Sequence, residues 1–154
     1  MTNNNKINND NKFIVSTKKF HSSYYGPDKH LVNWPMLYLL ENKKEAYIGQ
    51  TASINRRMAE HKRNSQKENF ETAYFIDSSE FNQSVTLNYE SKLIQLYAAD
   101  NNKKLINGND GIRDVDYFKK DYYDKEFKEL WNTLLEKKIV KNKIEDIENS
   151  DMYK

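Results

Sequence analysis

The chain has no cysteine. This removes disulfides, thiolate metal sites and cysteine nucleophiles together, and it suits a reducing cytoplasm. Only four glycines and two prolines occur in 154 residues. Scattered at Gly26, Gly49, Gly108 and Gly111, the glycines cannot form a P-loop or a dinucleotide fingerprint. The zinc-helix pattern His-Glu-x-x-His is absent as well. Long apolar runs are also missing: the first twenty residues lack the apolar stretch of a signal peptide, and no later run approaches membrane-spanning length. The expectation is a soluble intracellular protein without a membrane partner.

What is present fits one compact domain. Hydrophobic residues make up 37% and charged residues 31%, while aromatics reach 13%, so much of the core must come from Tyr, Phe and Trp. The net charge of +2 says little, but its distribution says more. Residues 1–65 carry 11 Lys/Arg against 5 Asp/Glu, and residues 66–154 carry 14 against 18. A basic first half can present a phosphate-attracting face.

Residues 1–12 are Asn-rich with nothing to bury and read as disordered. Residues 13–33 hold scattered apolar groups of poor periodicity and a Gly26-Pro27-Asp28 turn. The apolar runs 36–40 and 46–49, joined by the polar turn 41–44, predict a β-hairpin. Thr51 or Ser53 then caps a helix over about 53–64 with Ile54 and Met58 on its buried side. Residues 72–77 predict a third strand. Asn82 or Ser84 opens a longer helix to about Ala99, buried over a wide arc. Residues 105–111 form a short extended piece entering a Gly/Asn turn. Residues 114–140 are helical in pattern, with Phe127, Leu130, Trp131, Leu134 and Leu135 at core spacing, and 141–154 is a charged, frayed tail. The fold class is a small α/β (α+β) domain: a three-stranded, mostly antiparallel sheet flanked by helices, with a C-terminal helical extension. The divisions are a loose arm (1–30), a core (31–113) and the extension with its tail (114–154).

The order of motifs is more specific than the composition. Leu37-Tyr38 and Tyr47-Ile48-Gly49 in a hairpin, Arg57 and His61 on the next helix, Glu90 on the following one and Asn107 after it together resemble the GIY-YIG nuclease superfamily over residues 34–111. Met36-Leu37-Tyr38 replaces Gly-Ile-Tyr, with the tyrosine retained. The resemblance implies a metal-dependent endonuclease that hydrolyses phosphodiesters, DNA ahead of RNA, leaving a 5′-phosphate and a 3′-hydroxyl. One Mg²⁺ or Mn²⁺ ion would be held by Glu90, a hard oxygen ligand among the apolar Leu87, Tyr89, Leu93 and Ile94. Arg57 would grip a phosphate through its guanidinium fork. Residue 61 lies one turn on, on the same helix face. His61 and Tyr38 both remain candidates for the general base. Tyr47 would hold a phosphate or orient the water, Gly49 would let backbone approach the site, and Asn107 would fix a loop. Lys43, Lys44, Arg56, Lys62 and Arg63 supply cations for tracking a nucleic-acid backbone.

Two other readings stand beside this one. The chain could be a nucleic-acid- or partner-binding module without turnover, although the complete residue set argues against decay. It is also similar to the N-terminal part of bacterial proteins in which such a domain precedes a P-loop helicase-like ATPase. That likeness implies an ATPase/helicase partner or a missing C-terminal domain. The oligomeric state stays open.

Overall fold

The structure, a computed structural model, describes residues 12–21, 34–107, 112–113 and 116–150. The elements run β1 (Ile14–Lys19), β2 (Met36–Glu41), β3 (Glu45–Thr51), α1 (Ile54–Lys62), β4 (Thr72–Asp77), α2 (Gln83–Asp100), β5 (Lys104–Leu105), α3 (Lys120–Glu136) and α4 (Ile144–Glu148). The strands form one mixed sheet in the order β1-β4-β2-β3-β5. Three of its pairings are antiparallel, and β3 with β5 is parallel. The expected α+β class and mostly antiparallel sheet are found, but the sheet has five strands rather than three.

The predicted hairpin is β2–β3, registered with Tyr38 opposite Gly49 and Leu40 opposite Tyr47. Its turn is closed by Asn42, whose Oδ1 accepts from the Lys44 N–H at 2.9 Å and the Glu45 N–H at 2.8 Å. In β2, Met36 to Leu40 are all buried, because the strand lies between β4 and β3 with both faces covered. A continuous apolar run, instead of alternation, is the signature of such a strand. Leu37, Leu39, Ala46, Ile48 and Ile76 enter the larger core with residues of α2, α3 and α4. Met36, Tyr38, Leu40, Tyr47, Ala73 and Phe75 enter a second core with Ile54 and Met58 of α1 and with Phe20 and Phe70. The sheet is thus a shared wall between two layers.

The two extra strands lie at the edges. β1 pairs with β4 along its full length, Ile14 opposite Asp77 through Lys19 opposite Thr72, and is anchored by the buried Phe13 and Phe20 at its ends. β5 pairs with β3 only at Glu45 and Ala46. Asn82 is the N-cap of α2, its side chain accepting from the Val85 N–H at 2.9 Å. At α1, Ser53 stands at the N-cap without a side-chain capping bond, and Thr51 Oγ1 accepts from the Ser53 N–H at 3.0 Å.

The tail is more ordered than its charge suggests. Asp100, 1% exposed, accepts from the Asn142 N–H at 2.7 Å and the Lys141 N–H at 3.0 Å. This pins the segment, and α4 then buries Ile144 and Ile147 in the larger core. The predicted disorder of residues 1–12 lies outside the described residues except at Lys12, whose Nζ pairs with Glu126, and the predicted turns at 26–28 and 108–111 lie outside them as well.

Candidate active site

Alternation along the hairpin puts Tyr38 and Tyr47 on the α1 side of the sheet, and α1 brings residue 61 back over them. The Tyr38 hydroxyl and His61 Nε2 are 2.7 Å apart and buried. Tyr47 completes a stack of three rings, with centroids 6.3 Å from Tyr38 and 5.2 Å from His61. Gly49 makes room for the first ring: a Cβ built at residue 49 would fall inside the Tyr38 phenol. The glycine is required by close packing and not by a left-handed backbone, so the expected close approach is made by Tyr38.

Burial, together with the neighbouring Lys67 and Arg57 cations, lowers the His61 pKa to about 4, against a small opposing effect of Glu60. The imidazole is therefore neutral at neutral pH, and in the tautomer protonated on Nδ1 its Nε2 accepts the hydrogen bond that the Tyr38 hydroxyl donates. Tyr38 itself is pushed up, first by burial and then by Tyr47, with Arg57 pulling it down and Glu90 pushing it further up. The phenol is protonated across the physiological range.

A buried neutral histidine links stability to pH. Unfolded, His61 takes up a proton near pH 6.5, while folded it does not until about pH 4, so stability falls as pH drops through that window. The contribution is fully present above the upper limit and amounts to about 3 kcal/mol by linkage. Urea denaturation at pH 7.5 and 4.5 should show a large loss of stability at the lower pH, reduced in His61→Asn. Equal losses in both proteins would contradict the neutral imidazole.

Arg57, one turn before His61 on α1, lies beside the Tyr38 hydroxyl, which with Glu60 holds the guanidinium protonated. Its Nη1 is 3.2 Å from Glu60 Oε1, and Arg56 Nη1 is 3.0 Å from Glu60 Oε2. These pairs are largely exposed, and surface pairs of this kind are weak, so an incoming phosphate can displace Glu60 from Arg57.

Glu90 lies on α2, the helix on the opposite face of the sheet, near enough for its charge to act on the Tyr38 hydroxyl. β5 covers β3 only near its start, at Glu45 and Ala46, and the Asn107 side chain extends the coverage to Ile48. The Asn107 side chain accepts from the Ile48 N–H at 2.9 Å and donates to the Ile48 carbonyl at 2.7 Å, imitating a strand partner and fixing the backbone between Tyr47 and Gly49. Beyond that point α2 packs along β3, with Thr86 Oγ1 3.3 Å from Gln50 Oε1. Glu90 follows Thr86 by one turn, is only 8% exposed, and its charge is felt at the Tyr38 hydroxyl. No trio of His, Asp or Glu side chains forms a metal cage among the described residues. A single carboxylate, a hard oxygen ligand, does suit a divalent ion that keeps most of its waters, as Mg²⁺ does.

The expected nucleic-acid contacts are dispersed. Lys62 and Arg63 lie at the α1 C-terminus, Lys62 half-buried and Arg63 exposed, and Arg56 is exposed on the same helix. Lys43 and Lys44 occupy the hairpin turn, where with Lys104 they line a shallow hollow away from the ring stack. Sequence reasoning missed Lys67, whose Nζ sits 4.2 Å from the centroid of the Tyr47 ring. It missed Glu60 as the shared partner of the two arginines as well. Lys67 falls in a polar stretch without periodicity, so nothing local marked it.

The family model for the GIY-YIG catalytic domain matches residues 35–145, from the start of β2 into α4. The chain belongs to the GIY-YIG family, a class of nuclease domains acting on nucleic acids. No curated protein and no solved structure matches the chain. The methionine in place of the family's first glycine is explained by the second core, where Met36 is completely buried.

Proposed function

We propose that the protein is a metal-dependent endonuclease that hydrolyses DNA phosphodiesters, with Tyr38, Tyr47, Arg57, His61 and Glu90 as its active site. The observation that carries this reading is the buried 2.7 Å pair between Tyr38 and His61, flanked by Arg57 and with the Glu90 charge within reach. A phenol that donates to a neutral imidazole is poised to relay a proton. The attacking water gives its proton to the Tyr38 oxygen while the Tyr38 proton passes to His61 Nε2. The water oxygen then bonds to phosphorus, the bond to the 3′-oxygen breaks, and the departing oxygen takes a proton from solvent to become the 3′-hydroxyl. Tyr38 thus contacts the water, and His61 stores the proton as imidazolium. The free imidazole is a weak base, but a phosphodiester anion beside it raises its basicity.

Arg57 gives up Glu60 and takes the non-bridging phosphate oxygens, stabilising the charge that grows on them. Tyr47 orients the phosphate and walls the rings from solvent. Glu90 would hold the metal ion, which supplies Lewis-acid stabilisation of the phosphate and the leaving oxygen when bound.

The test is a cleavage assay on duplex, branched and single-stranded DNA, with RNA alongside, with Mg²⁺ or Mn²⁺ and again with excess EDTA. Cleavage that disappears on chelation and returns with metal is the expected result. Binding without cleavage of any of these substrates would leave a module that recognises nucleic acid and does not cut it.

A further inference from the structure

The ring stack is bracketed by two cations. Arg57 approaches from α1, and Lys67, on the turn that follows α1, lies over the outer face of Tyr47 at 4.2 Å from its centroid. Tyr47 in turn contacts His61 edge-on at 5.2 Å. Lys67 is half-buried, with its ammonium over the Tyr47 ring. The ring it covers is the one assigned to orienting the phosphate. Two cations whose charges both act on one proton acceptor are what a nucleic-acid backbone, with a negative charge at each successive phosphate, would neutralise.

We propose that Lys67 is a second phosphate ligand of this site, taking the non-bridging oxygens of a substrate phosphate that meets the Tyr47 face. The assignment rests on the nuclease reading for its substrate, but it makes a separate claim about which cation binds.

It carries a regulatory consequence. The charged and titratable groups facing His61 are Tyr38 and Tyr47 from the sheet, Arg57 and Glu60 from α1, and Lys67 from the turn. The lysine's charge opposes protonation of the imidazole in the free protein. A phosphate bound to Lys67 cancels that opposition, so His61 becomes a better proton acceptor only when substrate is in place.

The experiment compares wild type, Lys67→Met and Lys67→Arg, all in EDTA so that nothing is cut. Binding of a labelled DNA duplex is followed by fluorescence anisotropy over a range of salt. For Lys67→Met the expected result is a Kd weakened about tenfold and a log Kd against log salt slope reduced by about one, with Lys67→Arg close to wild type. In parallel, NMR titration of the His61 ring should show its midpoint moving upward when duplex is added to wild type, and moving less in Lys67→Met. An unchanged Kd and salt slope in Lys67→Met overturns the proposal, whether or not the wild type cleaves DNA. The converse also separates the two claims: a protein that never cuts, yet loses one phosphate contact with Lys67, refutes the catalytic reading and retains the ligand.

Discussion

Glu90→Gln is expected to abolish cleavage, by roughly a thousandfold or more in single-turnover rate, while the fold survives. The substitution keeps the size and hydrogen-bonding reach of the side chain and removes only its charge. Glu90 is 8% exposed on a helix whose neighbours Tyr89 and Leu93 lie in the larger core, so the amide meets the same packing. The isosteric amide keeps the packing, so the protein should still melt as a folded, cooperative unit. The neutral amide is a poor ligand for a hard divalent cation, and the lost rate should not return on raising Mg²⁺ to tens of millimolar. Rate measurements together with circular-dichroism melting decide the matter. A Glu90→Gln protein that cuts within tenfold of wild type would remove this residue from the site.

The second large effect should come from the smallest substitution. Gly49→Ala adds one methyl group where the Tyr38 ring already lies. Tyr38 is 1% exposed and carries the 2.7 Å bond to His61, so the ring cannot swing into solvent, and the strand pair or the ring must shift. Overpacking of this kind costs about 1–3 kcal/mol. Catalysis should suffer more, since a displacement of about 1 Å at a reacting group lowers rates on the order of a hundredfold. A denaturant midpoint only modestly reduced, with cleavage nearly gone, is the expected pairing. If Gly49→Ala retains full activity, the phenol is not where the reaction needs it.

The sequence was most legible where two physical constraints coincided. β2 and β3 were readable because strands covered on both faces carry unbroken apolar runs, and Asn42-Lys43-Lys44 marked the turn between them. α2 was readable because a helix wedged against a sheet and two further helices is apolar over a wide arc, and Asn82 marked its start. β1 escaped notice because an edge strand alternates weakly: Ile14 is 54% exposed while Val15 and Ser16 after it are only partly covered. β5 is two residues long, too short for any period. α4 was hidden because only Ile144 and Ile147 are apolar in it, and its position depends on a distant carboxylate, Asp100.

The site followed the same division. Motif order nominated the polar side chains, and i, i+4 spacing put Arg57 and His61 on one face. Local sequence carries no trace of which imidazole nitrogen meets the phenol, or of Lys67 over Tyr47, because those contacts arise from how α1 and the following turn settle on the sheet. The choice between Tyr38 and His61 as base was undecidable for that reason. Their direct contact favours a shared role.

The sheet as a common wall has an outcome for how this protein tolerates damage. The guanidinium and imidazole are rooted in the smaller, Met- and Phe-lined layer, whereas the carboxylate hangs from the layer built around Trp131. Lesions should therefore sort by side. A defect behind α2 would misplace the acid and leave the phenol–imidazole couple standing, and one behind α1 would do the reverse. Because both layers must hold their side chains in place, the proposed reaction should fail when either foundation yields, well before the whole molecule unfolds.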